Sequence, residues 1–300
     1  VERASRFANL SGSARTKWTR VDEFFRRLDT VRSQLPVYQG ELYLEYHRGT
    51  YTTQSECKRL YRRAERALQA HEAVRVALQG EPLEETAWLR VLFAQFHDAL
   101  PGSSIARVYE ELCPELESAG DRELDAARGE LEANRGTRLQ VFNPLPYGRT
   151  TVVDGPAGSI QVKLPALGTV DAAGEHSVTH PIRSASPHLI EHDRLMARFD
   201  SSGQLEKLVV DGQPLELNGT AGFVLSPDDP ADFDAWDIDQ HASYLGQRVA
   251  AELSLRVLEE SPARAVLESD PVGVGEASEL TLRYVLDAAG LHLRIEARVH

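Results

Sequence analysis

The segment QFHDALPGSS, residues 95–104, brings an imidazole, a carboxylate and two hydroxyls together around a Pro-Gly turn. Neutral imidazole is a good zinc ligand, and a catalytic zinc typically takes about three protein N, O or S donors with one position open. His97 and Asp98 follow the most hydrophobic stretch of the chain, which carries Trp88, Leu89, Val91, Leu92, Phe93 and Phe96. Burying a histidine and an aspartate there costs free energy unless both are paired or ligate a metal. The residue types allow a plainer reading, in which His97 suits the C-terminal end of a helix dipole and Asp98 is its partner.

A second candidate is GELYLEYHRGTYTTQ, residues 40–54. A strand that ends in a turn rich in His, Arg, Tyr and Thr is how an α/β barrel presents polar groups at its rim. His47, Arg48 and Tyr51 offer ring faces, a guanidinium and a hydroxyl, which suit sugar recognition. The same residues also read as a strand-to-helix connection with Thr52 or Thr53 capping the next helix. The third candidate, PDDPADFDAWDID at residues 227–239, evokes a calcium loop but lacks the Gly and terminal Glu of an EF-hand. It reads as a solvated acidic loop anchored by Trp236. Phosphate loops, dinucleotide fingerprints, nucleophile elbows and His-Glu-x-x-His are absent from the sequence.

The elements that must position these groups divide into two halves. Apolar residues recur every three or four positions over residues 18–35, 55–78 and 83–96, which predicts helices. Thr16 or Thr19 is a candidate cap for the first and Pro36 follows its end. The third is apolar on nearly every side, the mark of a helix buried all round. A fourth begins near Ser103 or Ser104, where Pro114 is expected to kink or interrupt it and Gly120 to weaken it before residues 124–131 resume the pattern. Residues 37–45 alternate as a short strand. After Gly136 short β-type runs follow at 139–142, 150–153, 160–164, 195–199, 205–210, 249–258, 264–268, 280–286 and 291–299, separated by Gly, Pro and Asn turn signals. Regularly spaced short strands favour a sandwich.

Composition excludes several classes. At 300 residues, 42% hydrophobic and 26% charged, the chain has room for two or three globular domains. A formal net charge of −13 argues against nucleic acid as a partner, which needs clustered positive charge. Arg59, Arg62, Arg63 and Arg66 lie at helical spacing among carboxylates and read as a solvated face. The two cysteines, Cys57 and Cys113, form no metal or disulfide motif and read as reduced thiols. No apolar run reaches membrane-spanning length. Val1 opens the chain without a methionine, so it reads as cut from something longer.

Taken in order, GELYLEYHRGTYTTQ, QFHDALPGSS, VFNPLP at 141–146 and FDAWDID at 233–239 resemble glycoside hydrolase family thirty-eight, the retaining α-mannosidases, and most closely their bacterial and cytosolic branch. The resemblance implies an α+β multidomain fragment: the end of a (β/α)7 barrel at 1–50, an antiparallel helical bundle at 51–136, and a supersandwich-like β-sandwich at 137–300, truncated at its end. It implies a Zn2+ cofactor, with His97 matching a metal-ligand position and Asp98 the adjacent carboxylate that contacts substrate hydroxyls. Phe96 stands where other branches carry a His. His47 stands where they carry an aromatic platform, and Arg48 and Tyr51 are further substrate-pocket candidates. In this family nucleophile and acid/base lie upstream of the region represented, so no catalytic carboxylate is assigned. The zinc site is therefore expected to be incomplete and the fragment inactive by itself. The partner implied is a mannose-containing oligosaccharide, with no nucleic acid or membrane, a homo-oligomeric parent and a cytoplasmic location. The competing expectation is a non-catalytic module that binds carbohydrate or mediates assembly.

Overall fold

The computed structural model describes residues 6, 8–40, 47–135, 139–174, 176–217, 222–250 and 252–300. The chain divides into two units, Val1–Leu44 and Glu45–His300.

In the first unit the expected helix over 18–35 is shorter: α1 spans Val21–Asp29, followed by a 3-10 turn at Arg32–Gln34. None of its residues is buried, and Trp18, Val21 and Phe25 are exposed. Among the described residues of this unit the apolar stripe has no core to pack on, and most helix stability comes from such packing. Arg20, not Thr16 or Thr19, occupies the N-cap position, without a side-chain cap; Thr19 bonds the Glu23 carboxylate instead. Of the strand expected over 37–45, residues 41–45 lie outside the described residues, and 37–40 are irregular.

The second unit opens with three helices. α2, Ser55–Ala77, buries the predicted stripe of Cys57, Leu60, Tyr61, Ala64, Ala67, Leu68 and Val74. Its N-cap residue is Gln54 in the left-handed region at φ +54°, so neither Thr52 nor Thr53 caps it. α3, Glu85–Phe93, runs back along it: Trp88 Nε1 donates to Glu72 Oε1 at 2.7 Å and Gln95 Nε2 to Tyr61 Oη at 2.5 Å. The expectation that this helix is buried all round is overturned. Val91 is buried, but Leu89, Leu92 and Phe93 are 51%, 47% and 79% exposed. α3 meets α2 and α4 on one side, and its other face is uncovered among the described residues.

α4 spans Ala106–Arg135 as one helix with Pro114 inside it, where the sequence predicts an interruption. Pro114 lies on the exposed face, as does Glu110, whose carbonyl loses its intrahelical donor, so water can serve it. Gly120 is a point of close approach, since a Cβ there would sit 3.5 Å from Ala64 Cα. Cys57 with Cys113, Ala64 with Gly120, and His71 with Glu123 and Glu130 form successive contacts, so α2 and α4 run parallel with α3 antiparallel between them.

The β region is antiparallel throughout. β1 (Gln140–Phe142) pairs with β4 (Thr169–Asp171), and β2 (Arg149–Gly155) with β3 (Gly158–Leu164) form a hairpin. A meander of β5 (Ser184–Ser186), β6 (Leu189–Glu191), β7 (Leu195–Phe199), β8 (Leu205–Val210) and β9 (Gln213–Leu215) makes one five-stranded sheet. The predicted run at 249–258 is split between β11 (Gln247–Val249), paired with β10 (Phe223–Leu225), and β12 (Leu255–Glu260). β12, β13 (Arg264–Ser269), β14 (Val272–Val274), β15 (Ser278–Asp287) and β16 (Leu293–Val299) make the second five-stranded sheet. Inward residues of both sheets share one core, from Ile190, Ala197 and Phe199 to Leu267, Leu282 and Leu286, with Phe199 edge-on to Tyr284 at 4.6 Å. This is the sandwich that the strand spacing predicts.

Candidate functional site

The three motifs singled out in the sequence meet in the second unit. The turn after α3 is held from inside. Tyr109 of α4 receives the Ser104 N–H at 3.0 Å, and its hydroxyl lies 3.1 Å from Asp98 O and 3.2 Å from Ala99 O, either of which can accept its proton. Burial raises the Tyr109 pKa, which keeps the phenol a donor. Gly102 adopts φ +99°, and a Cβ there would approach Thr53 O to 2.6 Å, so only glycine lets the two backbones touch.

Lys58 ties that turn to the one before α2. Its ammonium donates to Thr53 O at 2.5 Å, to Leu100 O at 2.8 Å and to Pro101 O at 3.1 Å. Burial lowers the Lys58 pKa, with the neighbouring Cys57 opposing. The 47–53 segment is itself wound around Gly49, whose carbonyl accepts Thr53 N at 2.9 Å and Thr53 Oγ1 at 2.7 Å. Thr52 and Thr53 thus close a turn where capping was one reading of them.

On its other side this turn rests on the acidic loop of the β region. Gly49 N donates to Trp236 O at 2.8 Å, and a Cβ at Gly49 would lie 3.1 Å from Asp237 O. His47 stands edge-on to Trp236 with ring centroids 4.7 Å apart, and Arg48 Nη1 lies 3.9 Å from Asp237 Oδ1 in a half-buried ion pair. The His47 Nδ1 atom is buried without a hydrogen-bond partner. Trp236 anchors the loop, as the sequence suggests, and what it anchors to is the His47 turn. Tyr51, at 63% exposure, projects from the group.

His97 and Asp98 do not occupy the buried setting expected of them. The His97 side chain is 77% exposed and Asp98 36%, with His97 Nε2 at 3.2 Å from Asp98 Oδ2. Asp98 Oδ1 accepts Ser103 Oγ at 3.0 Å, and the His97 ring leans on Phe96 at 4.4 Å. The helix ends at Phe93, so the pair sits on an open turn with no burial cost to repay. One imidazole and one carboxylate fit a zinc shell in kind. They are too few to complete one, and no group of three or more His, Cys, Asp or Glu gathers among the described residues. Sequence reasoning missed the Lys58 and Tyr109 contacts, because their partners in the turn are backbone groups that no residue type signals.

The second unit is therefore a helical bundle leading into an antiparallel sandwich, with the polar turns gathered near the start of the bundle. Residues 45–129 match the family model described as the α-mannosidase middle domain. Alpha-mannosidase 2C1 of Homo sapiens is 30% identical over 341 aligned positions that take in 100% of this chain and 32% of the relative. Alpha-mannosidase G of Dictyostelium discoideum is 39% identical over 118 positions, 37% of this chain and 11% of the relative. Among solved structures, an α-mannosidase from Enterococcus faecalis V583 superposes with a TM-score of 0.56 at 11% identity, over 92% of this chain and 46% of that one, a likeness of fold. Residues 45–129 thus carry an α-mannosidase middle domain, and the chain as a whole is similar to α-mannosidases, spanning about a third of the length of the human relative.

Proposed function

We propose that this chain is part of a zinc-dependent, retaining α-mannosidase acting on terminal mannose residues of oligosaccharides, in which it supplies one metal ligand and part of the sugar pocket. In this reading residues 1–50 close a catalytic barrel, 51–136 form the middle domain and 137–300 the C-terminal sandwich. The observation that carries it is the convergence of the 47–53 and 97–104 turns, through Gly102 and through Lys58 with carbonyls 42 and 43 positions further along the chain. A pocket assembled from separate segments needs such a stitch to hold its groups in register.

His97 would hold the metal through an imidazole nitrogen, and Asp98 would orient substrate hydroxyls with its free lone pairs, its carboxylate already fixed by Ser103. Bound there, zinc would polarise sugar hydroxyls and favour the oxocarbenium-like transition state. The nucleophile and acid/base, ~5–5.5 Å apart in retaining enzymes, would come from the barrel. His47, Arg48 and Tyr51 would flank the sugar, held by the Trp236 loop. Open exposure of His97 beside the uncovered face of α3 suits a ligand offered to a site completed by another domain. A cytoplasmic, oligomeric parent fits this reading; in the chain itself, no helix among the described residues is long and apolar enough to cross a membrane.

The test uses the full-length parent with an aryl α-mannoside, with and without chelator. His97→Ala is expected to lower kcat/KM at least 100-fold and to lose bound zinc, measured by metal analysis after desalting. Hydrolysis and metal content equal to wild type would remove His97 from the metal site. Glycan binding by this chain alone, with a barrel that lacks carboxylates, would favour the non-catalytic module.

A further inference from the structure

The arginine face of α2, read from sequence as a solvated surface, has a second wall in the fold. Arg59, Arg62, Arg63 and Arg66 line one side of a groove of about 860 Å3, and Arg149, at the start of β2, lines the other. The floor is apolar, made by Ala67, Ala70 and Leu124 from the helices and by Pro144 and Leu145. No carboxylate lines it.

Three of the five guanidinium groups have acidic partners, all outside the groove: Arg59 with Glu56, Arg62 with Glu65, and Arg63 with Asp121. Each uses part of a five-donor fork and keeps N–H groups for a further acceptor. Arg66 and Arg149 have no carboxylate partner among the described residues. In a chain of formal net charge −13 this is a local excess of positive charge over an apolar floor.

The far wall is rigid. Asn143, fully buried, donates through Nδ2 to Tyr147 O at 2.8 Å and Pro165 O at 2.9 Å, while its Oδ1 accepts Leu145 N at 3.3 Å. The VFNPLP motif is thus a buried amide knot that fixes the Pro144–Leu145 wall and leads directly into Arg149. Arg62, Arg66 and Arg149 are exposed, so approach from solvent is open.

We infer that this groove is a binding site for a phosphate-bearing ligand, with the anion held by Arg66 and Arg149 and helped by Arg62 and Arg63. The planar forks match phosphate oxygens two at a time, and the apolar floor gives an attached sugar ring or similar body a face to rest on. The site is separate from the turns at 47–53 and 97–104 and does not depend on the proposed activity.

The experiment is calorimetric titration of this chain with inorganic phosphate and, in a second arm, with a hexose phosphate. Arg66→Ala and Arg149→Ala are each expected to weaken phosphate binding at least tenfold, and the double variant to abolish it. Arg107→Ala, a surface arginine of α4 paired with Glu111 outside the groove, is the control and should leave affinity unchanged. Tighter binding of the hexose phosphate than of inorganic phosphate assigns the apolar floor to the ligand's body; equal affinity assigns the site to the anion alone. Wild-type heats no larger than those of the double variant would overturn the proposal, as would equal loss in Arg107→Ala. All substituted side chains are on the surface, and circular dichroism of each variant checks that it is folded.

Discussion

Replacing Lys58 by methionine isolates the stitch between the two turns. Methionine keeps most of the apolar stem and removes the ammonium, so Thr53 O, Leu100 O and Pro101 O lose their common donor while α2 keeps its packing. Hydrogen bonds from a charged group contribute about 1.5–3 kcal/mol net. Three on one ammonium do not add, because they share one desolvation cost, visible as the lowered Lys58 pKa. The contacts are part-buried, so water recovers some of what is lost. The expected loss of unfolding free energy is about 2–3 kcal/mol, read by urea denaturation of the bundle followed at 222 nm, roughly where helix dominates the signal. Hydrogen exchange should quicken at the amides of Ala99, Leu100 and Gly102. A change under about 0.5 kcal/mol with exchange unaltered would refute the stitch, since an exposed lysine substitution has that effect anyway.

Two further outcomes follow from buried polar groups. His192, with a fully buried side chain, receives Arg194 N and Leu195 N at Nδ1, both at 3.1 Å, and donates Nε2–H to Gly290 O at 3.1 Å, which fixes the neutral tautomer. Burial lowers its pKa, so between that value and the unfolded value of about 6.5 the unfolded chain binds more protons. Its contribution is fully present above about pH 6.5 and is lost as pH falls through the folded pKa, with a slope of at most about 1.4 kcal/mol per pH unit. Denaturation of wild type and His192→Gln from pH 7 to about 5 should show a stability difference that shrinks on acidification; a constant difference would contradict it. Gly102→Ala places a Cβ against Thr53 O at 2.6 Å in a left-handed conformation and should cost about 3 kcal/mol or more. A thermal midpoint within about 2 °C of wild type would mean that the turns move apart freely.

How far the sequence could be read depends on what carried the information. The α2 stripe was legible because a three-to-four spacing of Cys57, Leu60, Tyr61, Ala64 and Leu68 has one meaning once a helix packs on it. α3 misled for a related reason: hydrophobicity on all sides says that surface is to be covered, and nothing about whether the cover lies among these residues. Pro114 misled because its cost depends on which face it occupies, and periodicity places it on the outer one only after α4 is known to be continuous. Short strands such as β5, β6 and β14 were illegible, since three residues cannot establish an alternation. The motifs of the site could be recognised as segments, but their convergence could not. Lys58 bonds carbonyls, and any residue type in the 97–102 turn could supply those.

That dependence on backbone groups bears on what the site is for. The groups that organise the two turns, Tyr109, Gly49 and Gly102, are buried, and Lys58 is partly so, while the side chains with chemistry, His97 and Tyr51, are exposed at 77% and 63%. A histidine kept for structure alone gains by satisfying both ring nitrogens inside the fold, as His192 and His71 do. His97 has one polar contact, to the carboxylate beside it, on a turn whose backbone is fixed by hydrogen bonds with Lys58 and Tyr109. Fixing a backbone so firmly while leaving its imidazole open makes physical sense if the imidazole must meet a partner at a set position. Beside it the uncovered Leu89, Leu92 and Phe93 offer an apolar surface on which a neighbouring domain could seat. A metal shared between that domain and His97 would then be positioned by the same buried contacts that Lys58→Met removes.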